Sequence, residues 1–139
     1  MRCRQCNPVP EEIARAADLL GRRWMLAIVW AAAEEGAVRW NEFKQALEGI
    51  PPRTLAQRLA ELEEAGVLER RVLPDSRPPR VEYRLTAAGT DLAGALRLLA
   101  AWAGSGEGPR HAACGTEVEV RWWCPTCQRV ADDEEEEWV

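Results

Sequence analysis

Between Pro10 and Trp102 the spacing of apolar residues switches from helical to alternating and back to helical, which restricts the chain to a mainly α fold with one small β-hairpin. "PEEIARAADLLGRRWMLAIVWAAAEEGAV" reads as two helices parted near Gly21. Pro10 and Glu11 suit a first turn, and Ile13, Ala16, Ala17 and Leu20 make one apolar stripe. Trp24, Ala27, Ile28 and Ala31 repeat at helical spacing until Gly36 stops the run. "RWNEFKQALEG" sets Trp40, Phe43 and Leu47 on one face and ends at Gly49. A fourth helix, over about residues 52–65, aligns Leu55, Leu59 and Leu62 before Gly66. In "RVEYRLT" the period becomes two: Val81, Tyr83 and Leu85 alternate with Glu82 and Arg84, the pattern of a half-buried strand. "VLERRVL" is its partner strand, and "PDSRPP" between them is a proline-stiffened loop. Thr86 can cap a last helix, "AAGTDLAGALRLLAAWA", with the stripe Leu92, Leu96, Leu99 and Trp102.

This order (helix, helix, short helix, helix, hairpin, helix) is that of a winged helix-turn-helix. The expected spans are an N-terminal arm over 1–10 with a Cys-x-x-Cys pair, and a DNA-binding and dimerisation domain over 11–103. A flexible joint over 104–110, a cysteine-bearing flap over 111–130 and an acidic tail over 131–139 follow. The N-terminus "MRCRQCNPVPEE" lacks the apolar run of a secretory signal, and no apolar stretch approaches the ~18–20 residues of a spanning helix. The expectation is a cytoplasmic protein without a membrane partner, its five cysteines suited to metal ligation more than to disulfides. No Ser/His/Asp set, glycine-rich phosphate loop or convergent carboxylate pair is evident, so no enzyme is expected.

A net charge of −5 looks wrong for a nucleic-acid binder until it is divided. Residues 1–110 carry 16 Lys+Arg against 15 Asp+Glu, whereas residues 111–139 carry 2 against 8, mostly in "ADDEEEEWV". That tail reads as a solvated end, or as a competitor of DNA for basic groups. The fourth helix segregates its charges. With its leucines turned inward, the outer face of its first turns carries Arg53, Thr54 and Gln57, Arg58 sits at the edge of the apolar stripe, and Glu61, Glu63 and Glu64 follow. DNA backbones repel those glutamates if the whole helix lies in a groove. Entry by the first two turns avoids this and presents the helix N-terminus, which favours phosphate. Arg can pair bidentately with guanine and Gln with adenine. Arg77 and Arg80 lie in or beside the loop over 74–80 that a wing lays along the backbone, while Arg70, Arg71 and Arg84 read either as further contacts or as solvated strand positions.

These linked segments resemble the HxlR-type transcriptional regulators, a winged-helix family related in fold to MarR-type repressors. The resemblance covers about Ile13 to Trp102 and rests on "LLGRRWMLAIVWAA", "RWNEFKQALEGIPPRTLAQRLAELEEAGVLERR" and "PPRVEYRLTAAGTDL". It implies a homodimer on double-stranded DNA with one recognition helix per subunit. It also implies DNA contacts from Arg53, Thr54, Gln57 and Arg58, from the wing at Arg77 to Arg80, and from Arg39 and Asn41 where the preceding helix approaches the backbone. Family members often have Ser where this chain has Pro51, so the N-cap hydroxyl is missing, although Pro52 can still pre-set the first turn. Some members sense electrophiles through a cysteine shortly before "LLG"; that position is Glu11 here and Cys6 lies five residues earlier, so this mechanism is not carried over. A small-molecule or redox effector stays open. Ile13 and Leu20 on the first helix and Leu92, Leu96, Leu99 and Trp102 on the last are the dimer candidates, some of which must belong to the monomer's own core.

The flap "HAACGTEVEVRWWCPTCQ" spaces His111-x2-Cys114-x9-Cys124-x2-Cys127, as in a small zinc ribbon. A segment this short has little core of its own, and metal ligation can supply its folding energy. Cys3 and Cys6 form a further x2 pair, and with Cys124 and Cys127 they make the second-choice site. The competing function is a winged-helix interaction module, or a redox- or zinc-responsive switch, whose main partner meets the flap and not DNA.

Overall fold

A computed structural model of the chain describes residues 9–104, 110–118 and 121–131. It divides into two compact units, Met1–Leu96 and Arg97–Val139.

The first unit begins with α1 (Glu11–Leu20) and α2 (Met25–Glu35), parted at Gly21. A short strand β1 (Ala37–Arg39) then leads into α3 (Trp40–Ala46) and α4 (Pro52–Glu64). The hairpin is β2 (Leu68–Leu73) and β3 (Arg80–Leu85), after which α5 (Ala87–Ala103) starts in the first unit and ends in the second. The helices and the hairpin lie where the periodicity placed them. The sheet, however, has three antiparallel strands in the order β1-β3-β2. Sequence reading finds two of them, because "AVR" is too short for any period to show. Its membership is decided by the non-local pairing of Val38 with Tyr83.

The core sits where α2, α3 and α4 meet the sheet. Met25, Ile28 and Val29 from α2, Phe43 from α3, and Leu55, Leu59 and Leu62 from α4 are all buried. Phe43 meets Tyr83 of β3 edge-on at 6.2 Å between ring centroids, a geometry that aromatic quadrupoles favour. The apolar stripe of α4 is therefore fully occupied inside, and its other face remains outward.

Both ends of α4 are defined locally. Gly49 (φ 83) turns the chain after α3. Lys44 Nζ donates to the Ile50 carbonyl at 2.5 Å, and the Ile50 side chain is buried. At the far end the Gly66 N–H donates to the Glu63 carbonyl and the Val67 N–H to the Leu62 carbonyl. With Gly66 at φ 73 this is a Schellman turn, and it tucks Val67 into the core. The same turn docks α5. Thr86 Oγ1 accepts from the Gly89 N–H at 3.0 Å, as an N-cap does, and donates to the Gly66 carbonyl at 2.5 Å.

In the second unit β4 (Trp122–Cys124) pairs antiparallel with β5 (Arg129–Ala131), and Arg110 bridges Glu117. Cys3, Cys6 and the acidic tail from Asp132 lie outside the described residues. No helix among the described residues is long and apolar enough to cross a membrane.

Candidate nucleic-acid interface

The tip of α4 is shaped by two prolines. Pro51 is the N-cap (φ −65, ψ 140), makes no side-chain cap bond, and is followed by Pro52 at the first helical position. A helix start ordinarily leaves four backbone N–H groups without an intrahelical acceptor. Here two of the four do not exist, because proline has none, and the Leu55 N–H already donates to the Pro51 carbonyl. The remaining donors are the N–H groups of Arg53 and Thr54. They carry the positive end of the helix dipole at the same place as the Arg53 side chain.

Arg53 and Gln57 are exposed, and Thr54 and Arg58 are half-buried. A shallow cavity of about 290 Å³, lined by Arg23, Trp24, Gly49, Pro51, Thr54 and Arg58, lies beside this tip. Further along, Glu61 is a hub. It accepts from Arg58 Nη1 at 2.8 Å, pairs with Arg22 Nη1 at 2.8 Å, and accepts from Gln57 Nε2 at 3.1 Å. Arg58 Nε also donates to the Arg23 carbonyl at 3.3 Å. The link between α1 and α2 is thus clasped to the middle of α4. Trp24, held in the left-handed region at φ 80 under the Arg23 guanidinium, anchors that link. Sequence reasoning passed over Arg22 and Arg23; the dibasic "GRRW" between two helices was the available signal.

Partial burial raises the Glu61 carboxyl, but hydrogen bonds and charge from Arg58 and Arg22 outweigh it, leaving the group below its ordinary value of 4.5. A lowered folded-state value stabilises the fold at pH above the unfolded carboxylate value and loses that stabilisation as pH falls through the folded one. Thermal midpoints of the wild type and Glu61→Gln should therefore differ at pH 7 and converge below about pH 4. A difference that persists unchanged into acid would remove the hub.

The remaining arginines divide in the same manner. Arg39 donates to Glu42 at 2.8 and 3.2 Å, while its backbone N–H donates to Glu42 Oε2 at 2.7 Å. The Glu42 carboxyl is lowered by the Arg39 guanidinium first and by that N–H second. On the hairpin Arg71 pairs with Glu69 and Arg84 with Glu82, and the register sets Glu69 opposite Arg84 and Arg71 opposite Glu82. That face is internally neutralised, so Arg71 and Arg84 sit as compensated strand positions. Arg53, Arg70, Arg77 and Arg80 are exposed and in no ion pair among the described residues. Arg77 and Arg80 flank a loop pinned by Ser76, whose Oγ donates to the Leu73 carbonyl at 2.9 Å and accepts from the Arg80 N–H at 2.8 Å. Of the eight residues expected at DNA, Arg53, Thr54, Arg77, Arg80 and the exposed Asn41 have no side-chain bond to a carboxylate among the described residues, Gln57 is exposed but donates to Glu61, and Arg39 and Arg58 are held by carboxylates.

The sequence from 19 to 110 matches the HxlR-like helix-turn-helix family. The chain belongs to that family. It is 40% identical over 125 residues to the uncharacterised HTH-type transcriptional regulator Rv3095 of Mycobacterium tuberculosis, covering 84% of this chain and 77% of that one. It is 34% identical to the HTH-type transcriptional regulator YodB of Bacillus subtilis, covering 80% of this chain and 97% of YodB. The reduced YodB structure superposes with a TM-score of 0.60 over 68% of this chain and 91% of that one, at 35% identity. The redox regulator HypR in its reduced form gives 0.63 over 68% and 92%, at 30% identity. With the open arginines on a winged helix-turn-helix, this HxlR-like chain is a DNA-binding transcriptional regulator. Glu11 opens α1 and its carboxylate lies 4.0 Å from the Arg15 guanidinium.

The dimer candidates separate too. Leu96 is buried in the monomer's core and Leu92 packs against it, whereas Ile13 is 58% exposed on a helix with no buried residue. Leu20 is half-buried, and Leu99 and Trp102 are exposed. In the second unit His111 Nδ1 lies 3.3 Å from Cys114 Sγ, and the Cys114 thiol is lowered by hydrogen bonds with Thr116 first and His111 second. Among the described residues no three such side chains converge as a metal site; Cys127 is exposed, and the side chain of Cys124 lies outside the description.

Proposed function

We propose that this HxlR-like regulator works as a cytoplasmic homodimer that inserts the first two turns of α4 into the major groove. Arg53 and Gln57 read base edges there, with Thr54 beside them. Arg77 and Arg80 lie along the phosphate backbone, and Asn41 meets it at the start of α3. The observation that supports this reading is the division of the arginines. Those on the helix tip and the wing have no carboxylate partner among the described residues, while Arg22, Arg39, Arg58, Arg71 and Arg84 all do. A guanidinium already paired must exchange a partner to meet phosphate, whereas an open one gains a charge-assisted bond outright. The dimer is supported by Ile13 on α1 and by Leu99 and Trp102, large apolar side chains that the monomer leaves exposed. In an isologous pair each such surface is met by its own copy.

The wing is tested by salt. In Arg77→Ala/Arg80→Ala, affinity should fall for all sequences alike, and the slope of log K against log[salt] should flatten by about 0.9 for each phosphate contact removed. An unchanged slope would take the wing off the DNA.

A further inference from the structure

The flap contains one backbone motif twice. His111-Ala-Ala-Cys114-Gly115-Thr116 is closed by the His111 N–H donating to the Thr116 carbonyl at 2.8 Å, inside the bridge between Arg110 and Glu117. Cys124-Pro-Thr-Cys127-Gln128-Arg129 is closed by the pairing of Cys124 with Arg129 at the head of the β4–β5 hairpin. Each span is six residues long, with a metal-ligand type at its first and fourth positions. In each, the residue after the second ligand has left-handed backbone: Gly115 at φ 70 and Gln128 at φ 54. For glutamine that conformation is uncommon. It appears here at the position where the other turn uses glycine.

The first pair has the spacing of two ligands on one ion. A nitrogen at about 2.05 Å and a sulfur at about 2.3 Å from a tetrahedral zinc stand about 3.6 Å apart. His111 Nδ1 and Cys114 Sγ are 3.3 Å apart, within a few tenths of an ångström of that value. Thr116 Oγ1, 3.3 Å from the same sulfur, is positioned to donate to it once it is a thiolate. Among the side chains described between Arg110 and Ala131 none is buried and only Val130 is half-buried.

We propose that His111, Cys114, Cys124 and Cys127 bind one zinc ion, and that this ion, not a hydrophobic core, holds the flap folded. The buried core of the winged-helix unit is made of that unit's own residues, so the proposal stands or falls apart from the reading of α4. The test uses the full chain purified without chelator. Native mass spectrometry should find about one zinc per chain, and cobalt substitution should give the ligand-field spectrum of a tetrahedral site with charge transfer from three thiolates. His111→Ala, Cys114→Ser and Cys127→Ser should each lower zinc content at least tenfold, while Cys3→Ser/Cys6→Ser keeps it. Since a flap variant can lose its fold, the wild type supplies a second readout. Chelation should remove amide-exchange protection from residues 110–131 and leave that of α2, α3 and α4 unchanged. Wild-type protein without zinc, zinc retained after Cys114→Ser, zinc lost with Cys3 and Cys6, or a flap equally protected after chelation would each overturn the proposal.

Discussion

Replacing Arg53 and Gln57 by alanine together should lower affinity for a selected operator by a hundredfold or more while leaving non-specific binding nearly intact. Each bidentate base contact is worth about 1–3 kcal/mol of discrimination, and about 1.4 kcal/mol is a factor of ten. In the proposed dimer each contact is made twice. Non-specific affinity depends instead on phosphate neutralisation, where Arg53 is one cation among several. The fold should survive the double replacement. Both side chains are exposed, and the side-chain bond lost among the described residues is the 3.1 Å one from Gln57 to Glu61, which retains Arg22 and Arg58. Gel shifts against operator and scrambled DNA separate the two effects. Equal losses on both would mean that the tip supplies charge and no sequence reading.

The second large effect concerns α5 and has opposite signs at two glycines. Helix propensity alone favours alanine at either position by about 0.5–1 kcal/mol. At Gly94 a Cβ would meet nothing within 4 Å, so Gly94→Ala should stabilise by about that amount. At Gly89 a Cβ would run into the Val67 carbonyl, which is fixed because it accepts from the Thr86 N–H at 3.1 Å. The clash is with backbone, not with the end of a flexible side chain, so α5 must lift from the turn that terminates α4. Gly89→Ala should therefore destabilise by about 1–3 kcal/mol. In a domain of this size each kcal/mol moves the thermal midpoint by about 4–8 °C. Two upward shifts in a melting series would mean that α5 is not seated on that turn.

What could be read from the residues follows from the range of the physics involved. The α4 stripe, its stop at Gly66 and the Thr86 cap depend on neighbours within a few positions, so Leu55, Leu59, Leu62 and the wing strands stand where their spacing placed them. β1 escaped because three residues carry no period and its partner lies more than forty positions away. The Arg22–Glu61 clasp escaped for the same reason. A guanidinium in a sequence does not declare which carboxylate the fold will bring to it, and this is why Arg39 and Arg58 grouped with the open arginines until their partners were seen. Burial at the end of the core was equally hidden: Leu96 and Leu99 are alike in sequence, yet one is enclosed and the other 44% exposed. In the flap the x2 spacings were legible, but the matching left-handed residues at Gly115 and Gln128 were not, since glutamine gives no sign of that conformation.

The most direct measurement is a repeated selection from random DNA, once with the wild type and once with Arg53→Ala. The wild type should enrich a two-fold-related site, and the variant should enrich the same site with the preference lost at one base pair in each half. Recovery of an identical site at full strength would contradict base reading by the tip of α4.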